Sequence, residues 1–276
     1  MISDLSFNGP ALIMAIVNCN KDSFYPLSRA QGKKAVIKAL KAEKNGADII
    51  DFGAESSRPG SFYISEEEEL SRLIPVIEMF RKRSSLPVSV DTRKAAVAKA
   101  ALHAGADIIN DISSLADDPN MGAVCAQSSA WVVLMHKKGE PYNMQDMPSY
   151  GNLKQELKSF FSLRIKNALA SGISPSRIIL DPGIGFGKSL KNNLEILNCL
   201  DEIFGKDYPL LVGLSRKSFI GELCATGQKL PDPEQRLAGT LAANSMAITK
   251  GAKIIRVHDV KEHADLAKVL YAIGRS

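Results

Sequence analysis

The chain has 276 residues, of which 45% are apolar and 24% are charged, a balance typical of a globular protein with one large domain or two small ones. Its net charge of +5 comes from 35 basic and 30 acidic residues spread along the chain. Because no basic block interleaved with aromatic residues occurs, the composition argues against nucleic acid as a partner. A mild basic surplus is equally compatible with a small anionic substrate.

The apolar segments are too short to span a membrane, so we expect no membrane partner. The first of them, 11–17, lacks a basic lead and ends in polar residues, unlike a secretory signal. The four cysteines are widely spaced and contain no Cys-x-x-Cys pair. These features predict a reduced, cytoplasmic protein whose cysteines are incidental.

Eight short apolar runs follow one another along the chain, and each reads as a buried strand. They lie at 12–17, 46–51, 88–90, 105–110, 131–135, 178–180, 210–214 and 251–256. Segments of helical periodicity separate them, most clearly at 31–44, 153–170 and 233–250. Ser65, with Glu68 three residues later, resembles a capping box, so we read 66–69 as a solvated first turn of a further helix.

Three of these runs are copies of one hexamer, which begins with Gly-Ala and continues with a polar residue and two isoleucines. The copies start at Gly46, Gly105 and Gly251. Each follows an Ala- and Lys-rich helical segment and places glycine where that helix should stop. The repeat therefore indicates a recurring helix-to-strand unit.

Alternating strands and helices predict a parallel sheet covered by helices. About eight units in this length favour a closed (β/α)8 TIM barrel over an open doubly wound sheet, and the first βα turn carries no nucleotide fingerprint. We find no linker and no low-complexity segment. The prediction is a single domain over residues 1–276.

The segment 178–188 is the most informative stretch, since a strand ends there in Asp181 and three alternate glycines follow before Lys188. The segment does not match a phosphate-binding loop. The pattern Gly-x4-Gly-Lys-Ser would need glycine at Pro182, and the dinucleotide pattern Gly-x-Gly-x-x-Gly would need glycine at Lys188. We therefore read Asp181 as a strand-end carboxylate aimed at the barrel mouth, followed by a flexible glycine-rich edge.

Nearly every predicted strand ends in an amide, a carboxylate or a cation. These residues are Asn18, Asp51, Asp91, Asn110, His136, Asp181, Lys217 and Arg256, with His258 close by. Any one of them could instead be an Asx turn or a helix cap. Together, at the carboxyl ends of barrel strands, they predict one converging polar site.

The residue types at this predicted site indicate its chemistry. The carboxylates of Asp91 and Asp181 suit the ring N–H groups of a flat polar heterocycle, and the Arg256 guanidinium can stack on such a ring or pair with an anion. His258 and Asn18 could complete an anion pocket. No zinc spacing and no Gly-x-Ser-x-Gly elbow is present, so positioning and charge stabilisation fit better than covalent catalysis.

Two polar loops, 18–24 and 54–60, lack regular pattern and are predicted to lie over the barrel mouth. Such loops commonly close over substrates, although an ordinary surface connection is the alternative.

With these residues collected, the chain resembles the dihydropteroate synthase family nearly end to end. The resemblance rests on Asn18 with Asp22-Ser23-Phe24, and on the segments 55–60, 89–92, 110–112, 134–136, 181–188, 215–218 and 256–258. It implies a transferase that condenses 6-hydroxymethyl-7,8-dihydropterin diphosphate with 4-aminobenzoate, giving 7,8-dihydropteroate and diphosphate in folate biosynthesis. It also implies a dissociative substitution, Mg²⁺ as cofactor, a homodimer and sulfonamides as competitive ligands.

The resemblance also assigns residues to three subsites. For the pterin it implies Asp91, Asn110, Met135, Asp181, Gly213, Lys217 and Arg256. For 4-aminobenzoate it implies Ser57, Arg58, Pro59, Phe186, Lys217 and Ser218. For the diphosphate it implies Asn18, Arg256 and His258, with Asn18 also on the metal. The implied catalytic set is Asn18, Asp91, Lys217, Arg256 and His258.

The chain departs from the family pattern in both loops. After Asn18 the usual proline and glycine pair are missing, and Ser57 replaces a threonine. Two other hypotheses stay open at this point. One is a pterin-dependent methyltransferase, which shares the barrel and would need a corrinoid partner. The other is a pterin-binding protein that has lost turnover through its altered first loop.

Overall fold

Eight parallel strands close into a barrel in which each strand pairs with the next along the chain and the last pairs with the first. This computed structural model describes residues 5–19, 28–55, 63–139, 149–227 and 229–275. The strands are β1 Leu12–Asn18, β2 Ile49–Gly53, β3 Val88–Asp91, β4 Ile108–Asp111, β5 Trp131–Met135, β6 Ile178–Asp181, β7 Leu210–Val212 and β8 Ala252–Val257. The predicted (β/α)8 barrel is confirmed.

Helices follow every strand and cover the outside of the barrel. They are α1 Ser28–Lys44, α2 Glu66–Arg81, α3 Ala95–His103, α4 Met121–Ala126, α5 Leu153–Ala170, α6 Leu190–Asn198, α7 Leu200–Phe204, α8 Ser218–Leu223, α9 Leu237–Thr249 and α10 Val260–Ile273. The predicted helix 153–170 matches α5. Within the described ranges, none of these helices has the length and apolarity needed to cross a bilayer.

The predicted helix at 233–250 is in fact two elements. Its first four residues, Pro233–Arg236, form a 3-10 turn, and α9 begins at Leu237. Asp232 and Gln235 form a capping box around this turn. The proline and the local cap therefore start the segment as a tight turn before the α-helix proper.

The three repeated glycines stop their helices as the sequence predicts. Gly46, Gly105 and Gly251 have φ of 97°, 108° and 101°, a left-handed region that residues with a Cβ avoid. After Gly46, the Ala47 amide donates to the carbonyl five residues back, at Ala42, which is the Schellman closure of a helix end. The recurring helix-to-strand unit is confirmed.

The start of α2 agrees with the sequence at its cap and differs in its first turn. The Ser65 hydroxyl accepts the backbone N–H of Glu68 at 3.2 Å, which confirms the cap. The expectation that residues 66–69 are all solvated was wrong, because Glu69 is only 1% exposed and pairs with Lys94. Helical periodicity places Glu69 on the face that carries the buried Leu73, turned toward the barrel.

The barrel interior is filled by side chains in layers. Apolar residues from seven strands pack together in its lower part: Met14, Ile49, Ile108, Val133, Ile179, Leu211 and Ile254. Because side chains alternate along a strand, the residue two positions further on faces the same interior, nearer the carboxyl end. At those seven positions stand the polar residues Asp51, Asn110, Asp181 and Arg256, together with Ile16, Met135 and Gly213. The interior therefore changes from apolar to polar toward one end.

Candidate functional site

A cavity of about 590 Å³ opens at the carboxyl ends of the strands, a size suited to a drug-sized ligand. Every described residue that the family resemblance assigns to a subsite lines it: Asn18, Asp91, Asn110, Met135, Asp181, Phe186, Gly213, Lys217, Ser218, Arg256 and His258. Ser57, Arg58 and Pro59 lie outside the described residues. The converging polar site predicted from the strand ends is present.

Strand register brings the carboxylates and amides of the cavity floor together. Asp91 on β3 stands directly opposite Asn110 on β4, and Met135 on β5 stands opposite Asp181 on β6. Adjacent parallel strands are about 4.8 Å apart, so these side chains can contact one small ligand at the same time. The floor offers acceptors on two sides and the apolar Met135 between them.

Arg256 is held at the edge of this floor by two carboxylates. Its Nε donates to Asp51 Oδ2 at 2.7 Å, and its Nη2 donates to Asp91 Oδ2 at 2.8 Å. Burial alone would lower the pKa of Arg256, but the two carboxylates outweigh it and raise that pKa. The arginine is therefore a fixed cation whose remaining N–H groups are available to a ligand.

The same cluster changes the acidity of Asp91. Burial raises the pKa of Asp91 to about 7, against the lowering effect of Arg256 and with a further rise from Asp51. Two carboxylates that share one guanidinium repel each other, which favours the protonated form of one of them. Asp91 can thus either accept or donate a hydrogen bond near neutral pH.

Two residues predicted at the mouth do not line the cavity. Asp51 is fully buried below the floor, where it contacts Arg256 rather than solvent or ligand. His136 turns away behind β5, and its Nδ1 lies 2.8 Å from the Lys188 amine. Burial, with the neighbouring Lys188, lowers the pKa of His136 to about 2, so the ring is neutral. Both are supporting residues, and the prediction that they face the site was wrong.

Lys217 lines the cavity at the start of α8, after β7. Its Nζ donates to the Ile184 carbonyl and lies 4.6 Å from the centre of the Phe186 ring. Burial lowers the pKa of Lys217 to about 8, although Asp181 opposes this change. One cation therefore lies against the Phe186 ring and close enough to Asp181 to affect its pKa.

The loop between β6 and α6 carries Phe186. Its glycines allow the loop backbone to lie close to the backbone of the segment after β5. Gly183 and Gly187 have φ of 62° and 63°. A Cβ at Gly183 would lie 1.9 Å from the His136 carbonyl oxygen, and one at Gly187 would lie 2.0 Å from that of Lys138. The expectation of a flexible glycine-rich edge was wrong, because the loop is packed directly against the segment after β5.

The mouth side of the cavity contains residues that the sequence analysis did not assign to the site. The Ser215 hydroxyl lies 2.9 Å from His258 Nδ1 and accepts the His258 backbone N–H at 3.2 Å. Arg216, with φ of 60°, makes a two-pronged ion pair with Asp259 at 3.0 and 2.6 Å. These contacts join the loop after β7 to the loop after β8 and fix the position of His258.

Glu55 also lines the cavity and was missed as a site residue. Its carboxylate accepts the Ile64 backbone N–H at 3.1 Å, the Lys94 amine at 2.8 Å and the Arg93 guanidinium at 3.1 Å. The segment 56–62, with most of the predicted second loop, lies outside the described residues, as does 20–24 of the first loop. Closure of these loops over a substrate stays a prediction.

Few of the described side chains at the cavity could coordinate a metal ion. No group of three or more His, Cys, Asp or Glu side chains that could hold an ion is found among the residues with described positions. Asn18 offers an amide oxygen at the cavity wall, on the same side as His258. Magnesium usually takes one or two protein ligands and completes its shell with water and substrate phosphate oxygens. With the described side chains, the site fits a magnesium ion brought with a phosphorylated ligand better than an ion held by protein side chains alone.

Comparison with known proteins agrees with this geometry. The family described as "Pterin binding enzyme" matches residues 14–258. The dihydropteroate synthase of Synechocystis sp. is 44% identical over 264 residues, which cover 95% of this chain and 90% of that protein.

Solved structures agree as well. A Yersinia pestis dihydropteroate synthase in complex with a sulfonamide drug superposes with a TM-score of 0.91 at 40% identity, covering 99% of this chain and 97% of that one. The Xanthomonas albilineans dihydropteroate synthase with 4-aminobenzoic acid gives 0.88 at 41% identity, with coverage of 99% and 96%.

Proposed function

This chain belongs to the pterin-binding enzyme family, and we propose from that premise that it catalyses the dihydropteroate synthase reaction. It joins 6-hydroxymethyl-7,8-dihydropterin diphosphate to 4-aminobenzoate and releases diphosphate, which makes it a transferase of folate biosynthesis. The observation that carries this proposal is the cavity itself. Every described residue that the family resemblance assigns to the two substrates lines this one space.

The floor of the cavity is proposed to bind the pterin. Asp181 and Asp91 accept ring N–H groups through charge-assisted hydrogen bonds, and Asn110 supplies both a donor and an acceptor. Burial raises the pKa of Asp181, although Lys217 opposes the change. The flat guanidinium of Arg256 packs against the ring, and Gly213 lines the cavity beside it.

The side of the cavity near β1 and β8 is proposed to bind the diphosphate. Arg256 supplies a fixed cation, His258 supplies an imidazole held by Ser215, and Asn18 supplies an amide. Asn18 would also hold Mg²⁺ together with the diphosphate oxygens. When bound, the ion would neutralise negative charge that builds on the leaving group.

The neighbouring side, formed by the start of α8 and the loop between β6 and α6, is proposed to bind 4-aminobenzoate. The Phe186 ring forms a flat wall, and Lys217 and Ser218 provide polar contacts to the carboxylate. Ser57, Arg58 and Pro59 complete this subsite in the family resemblance. Sulfonamides, which share a flat aniline ring with this substrate, are proposed as competing ligands.

The reaction is proposed to be a dissociative substitution. The bond between the pterin methylene and the diphosphate oxygen breaks first, and the diphosphate leaves with the electron pair. The carboxylates around the ring then stabilise the pterin cation until the arylamine nitrogen attacks the methylene carbon and loses a proton. This route needs preorganised charge and no protein nucleophile, in keeping with the residues of the cavity.

A homodimer is proposed on the surface formed by α9 and α10. Helix α9 exposes Ala238, Ala242 and Met246 at four-residue spacing, and α10 exposes Val269 and Ile273 at the same spacing. Aligned apolar stripes on two helices that pack together favour a second copy of the same surface as partner. A cytoplasmic location stays a prediction from the sequence.

A turnover assay tests the proposed function. Purified protein would receive the dihydropterin diphosphate, 4-aminobenzoate and Mg²⁺, with dihydropteroate and diphosphate measured together. We expect the two products in equal amounts, and no dihydropteroate when 4-aminobenzoate is withheld. Pterin binding without product would overturn the proposal and favour a binding protein. Methyl transfer from a methylated folate, with a corrinoid partner added, would favour the methyltransferase.

A further inference from the structure

Lys188 lies at the end of the loop between β6 and α6. Its side chain is buried although it carries an amine, and only 2% of the residue is exposed. Its Nζ lies 2.8 Å from His136 Nδ1 and donates to the carbonyl oxygens of Gly183 at 2.9 Å, Phe186 at 3.1 Å and His136 at 3.2 Å. A buried lysine is stable only when its donors are matched in this way. All the N–H donors of Lys188 are therefore used in contacts with this loop and with His136, which follows β5.

Two of the carbonyls that Lys188 contacts lie within the loop, and the third follows β5. One amine thus ties both the start and the middle of the loop to the neighbouring strand. The Tyr150 hydroxyl adds a further bond, donating to the Gly187 carbonyl at 2.7 Å. Together with the close backbone approach at Gly183 and Gly187, these bonds fix the loop from behind, on the side away from the cavity.

The cavity side of the same loop is held by a second lysine. Lys217 donates to the Ile184 carbonyl, and its Nζ lies 4.6 Å from the Phe186 ring centre. Lys188 thus holds the Gly183 and Phe186 carbonyls, and Lys217 holds the Ile184 carbonyl between them. The orientation of the Phe186 ring follows from the backbone between these two anchors.

We propose that Lys188 is a positioning residue for the arylamine half of the reaction. It fixes the Phe186 carbonyl, and thereby the Phe186 ring, at the place where the ring forms the flat wall of the 4-aminobenzoate subsite. Lys188 itself touches no substrate, since it lies behind the loop and is not among the described residues that line the cavity. This inference rests on the proposed function, which assigns Phe186 to that subsite.

Lys188 acts on the pterin subsite only through its charge, which helps to lower the pKa of Asp181. Asp181 is fixed by the strand ladder, in which its carbonyl accepts the His136 N–H at 3.0 Å, and Asp91 and Asn110 stand on other strands. Loss of Lys188 therefore releases Phe186 while most of the pterin floor stays in place. Loss of Lys188 is therefore expected to weaken the use of 4-aminobenzoate much more than the binding of the pterin diphosphate. A general loss of stability would affect both substrates alike.

The test replaces Lys188 by methionine, which keeps the length of the side chain and removes the donors. Lys191→Met, an exposed lysine three residues later on α6, is the matched control. For Lys188→Met we expect the KM for 4-aminobenzoate to rise about tenfold or more, and the calorimetric affinity for the pterin diphosphate to change by less than about twofold. Lys191→Met should match the wild type. Equal changes for both substrates, or no change, would overturn the proposal.

Crystal structures of the wild type and Lys188→Met separate this inference from the proposed function. We expect the Phe186 ring to move by about 1 Å or more, a displacement large enough to affect catalysis. An unmoved ring contradicts the inference whether or not the wild type makes dihydropteroate. If Lys188→Met does not fold, Tyr150→Phe removes one donor from the same loop and should show a smaller difference of the same kind. Absence of that difference would then reject the inference.

Discussion

Arg256 on β8 and Asp51 on β2 form an ion pair that spans the strand between them: Arg256 Nη2 and Nε lie 2.6 and 2.7 Å from Asp51 Oδ2. Asp51 is fully buried and Arg256 is partly accessible from the cavity. The carboxylate below the floor therefore holds the cation that faces the ligand. A buried residue with no ligand contact can in this way control substrate binding.

Asp51→Asn is expected to lower kcat/KM by about 10- to 100-fold, because a hydrogen bond to a charged group contributes about 1.5–3 kcal/mol and Arg256 would lose its best partner. Steady-state kinetics with both substrates would measure this. Asp48→Asn is the matched control, since Asp48 lies just before the same strand and accepts the Ile13 N–H at 2.8 Å, far from the cavity. Equal losses in the two variants would contradict a specific role for Asp51.

Lys217→Ala is expected to impair the use of both substrates. The one cation contacts the Phe186 wall and lies close enough to Asp181 to affect its pKa, so both subsites lose it together. KM values for the pterin diphosphate and for 4-aminobenzoate should each rise about tenfold or more. Wild-type values for either substrate would show that Lys217 serves only the other subsite.

The pH dependence of the reaction offers a second test of Lys217. The Lys217 pKa of about 8 means that the cation is present below pH 8 and is lost as the pH rises through that value. We expect kcat/KM for 4-aminobenzoate to fall above about pH 8, since this parameter reports groups of the free enzyme. Lys217→Arg keeps its charge and should remove that fall, even at lower overall activity. A fall that persists in the arginine variant would have to come from another group.

Asp181→Asn is expected to weaken pterin binding by about 1–3 kcal/mol, because an amide cannot accept from the ring donors as a carboxylate does. Calorimetric titration with the pterin diphosphate would measure the loss. The amide also keeps one oxygen to accept the Gly183 N–H, so the loop should stay folded. Unchanged affinity would remove Asp181 from the pterin subsite.

The fold and the floor of the site could be predicted because both follow from local periodicity. Strand ends are visible in the sequence, and closure of the barrel brings their polar residues together, as Asp91 and Asn110 show. The glycine at each repeated helix end is likewise a local signal, since only a left-handed turn at Gly46 or Gly105 lets the next strand begin.

The sequence does not show which way a polar residue at a strand end faces, or which residues it contacts across the barrel. Asp51 and His136 end strands like the other residues, yet one turns beneath the floor and the other turns behind it. Lys188 was read only as the end of a glycine pattern, because its four contacts come from residues up to 52 positions away. A match between buried donors and distant carbonyls leaves no periodic signal in the sequence.

The loop between β6 and α6 also limits how the pocket can change by mutation. Neither Gly183 nor Gly187 admits a side chain, since even a methyl group would collide with the backbone behind the loop. Substitutions that would reshape the proposed 4-aminobenzoate subsite are therefore barred from these two positions. Such change must arise where side chains can vary without displacing main chain, so evolutionary variation of this subsite is expected in other parts of its lining.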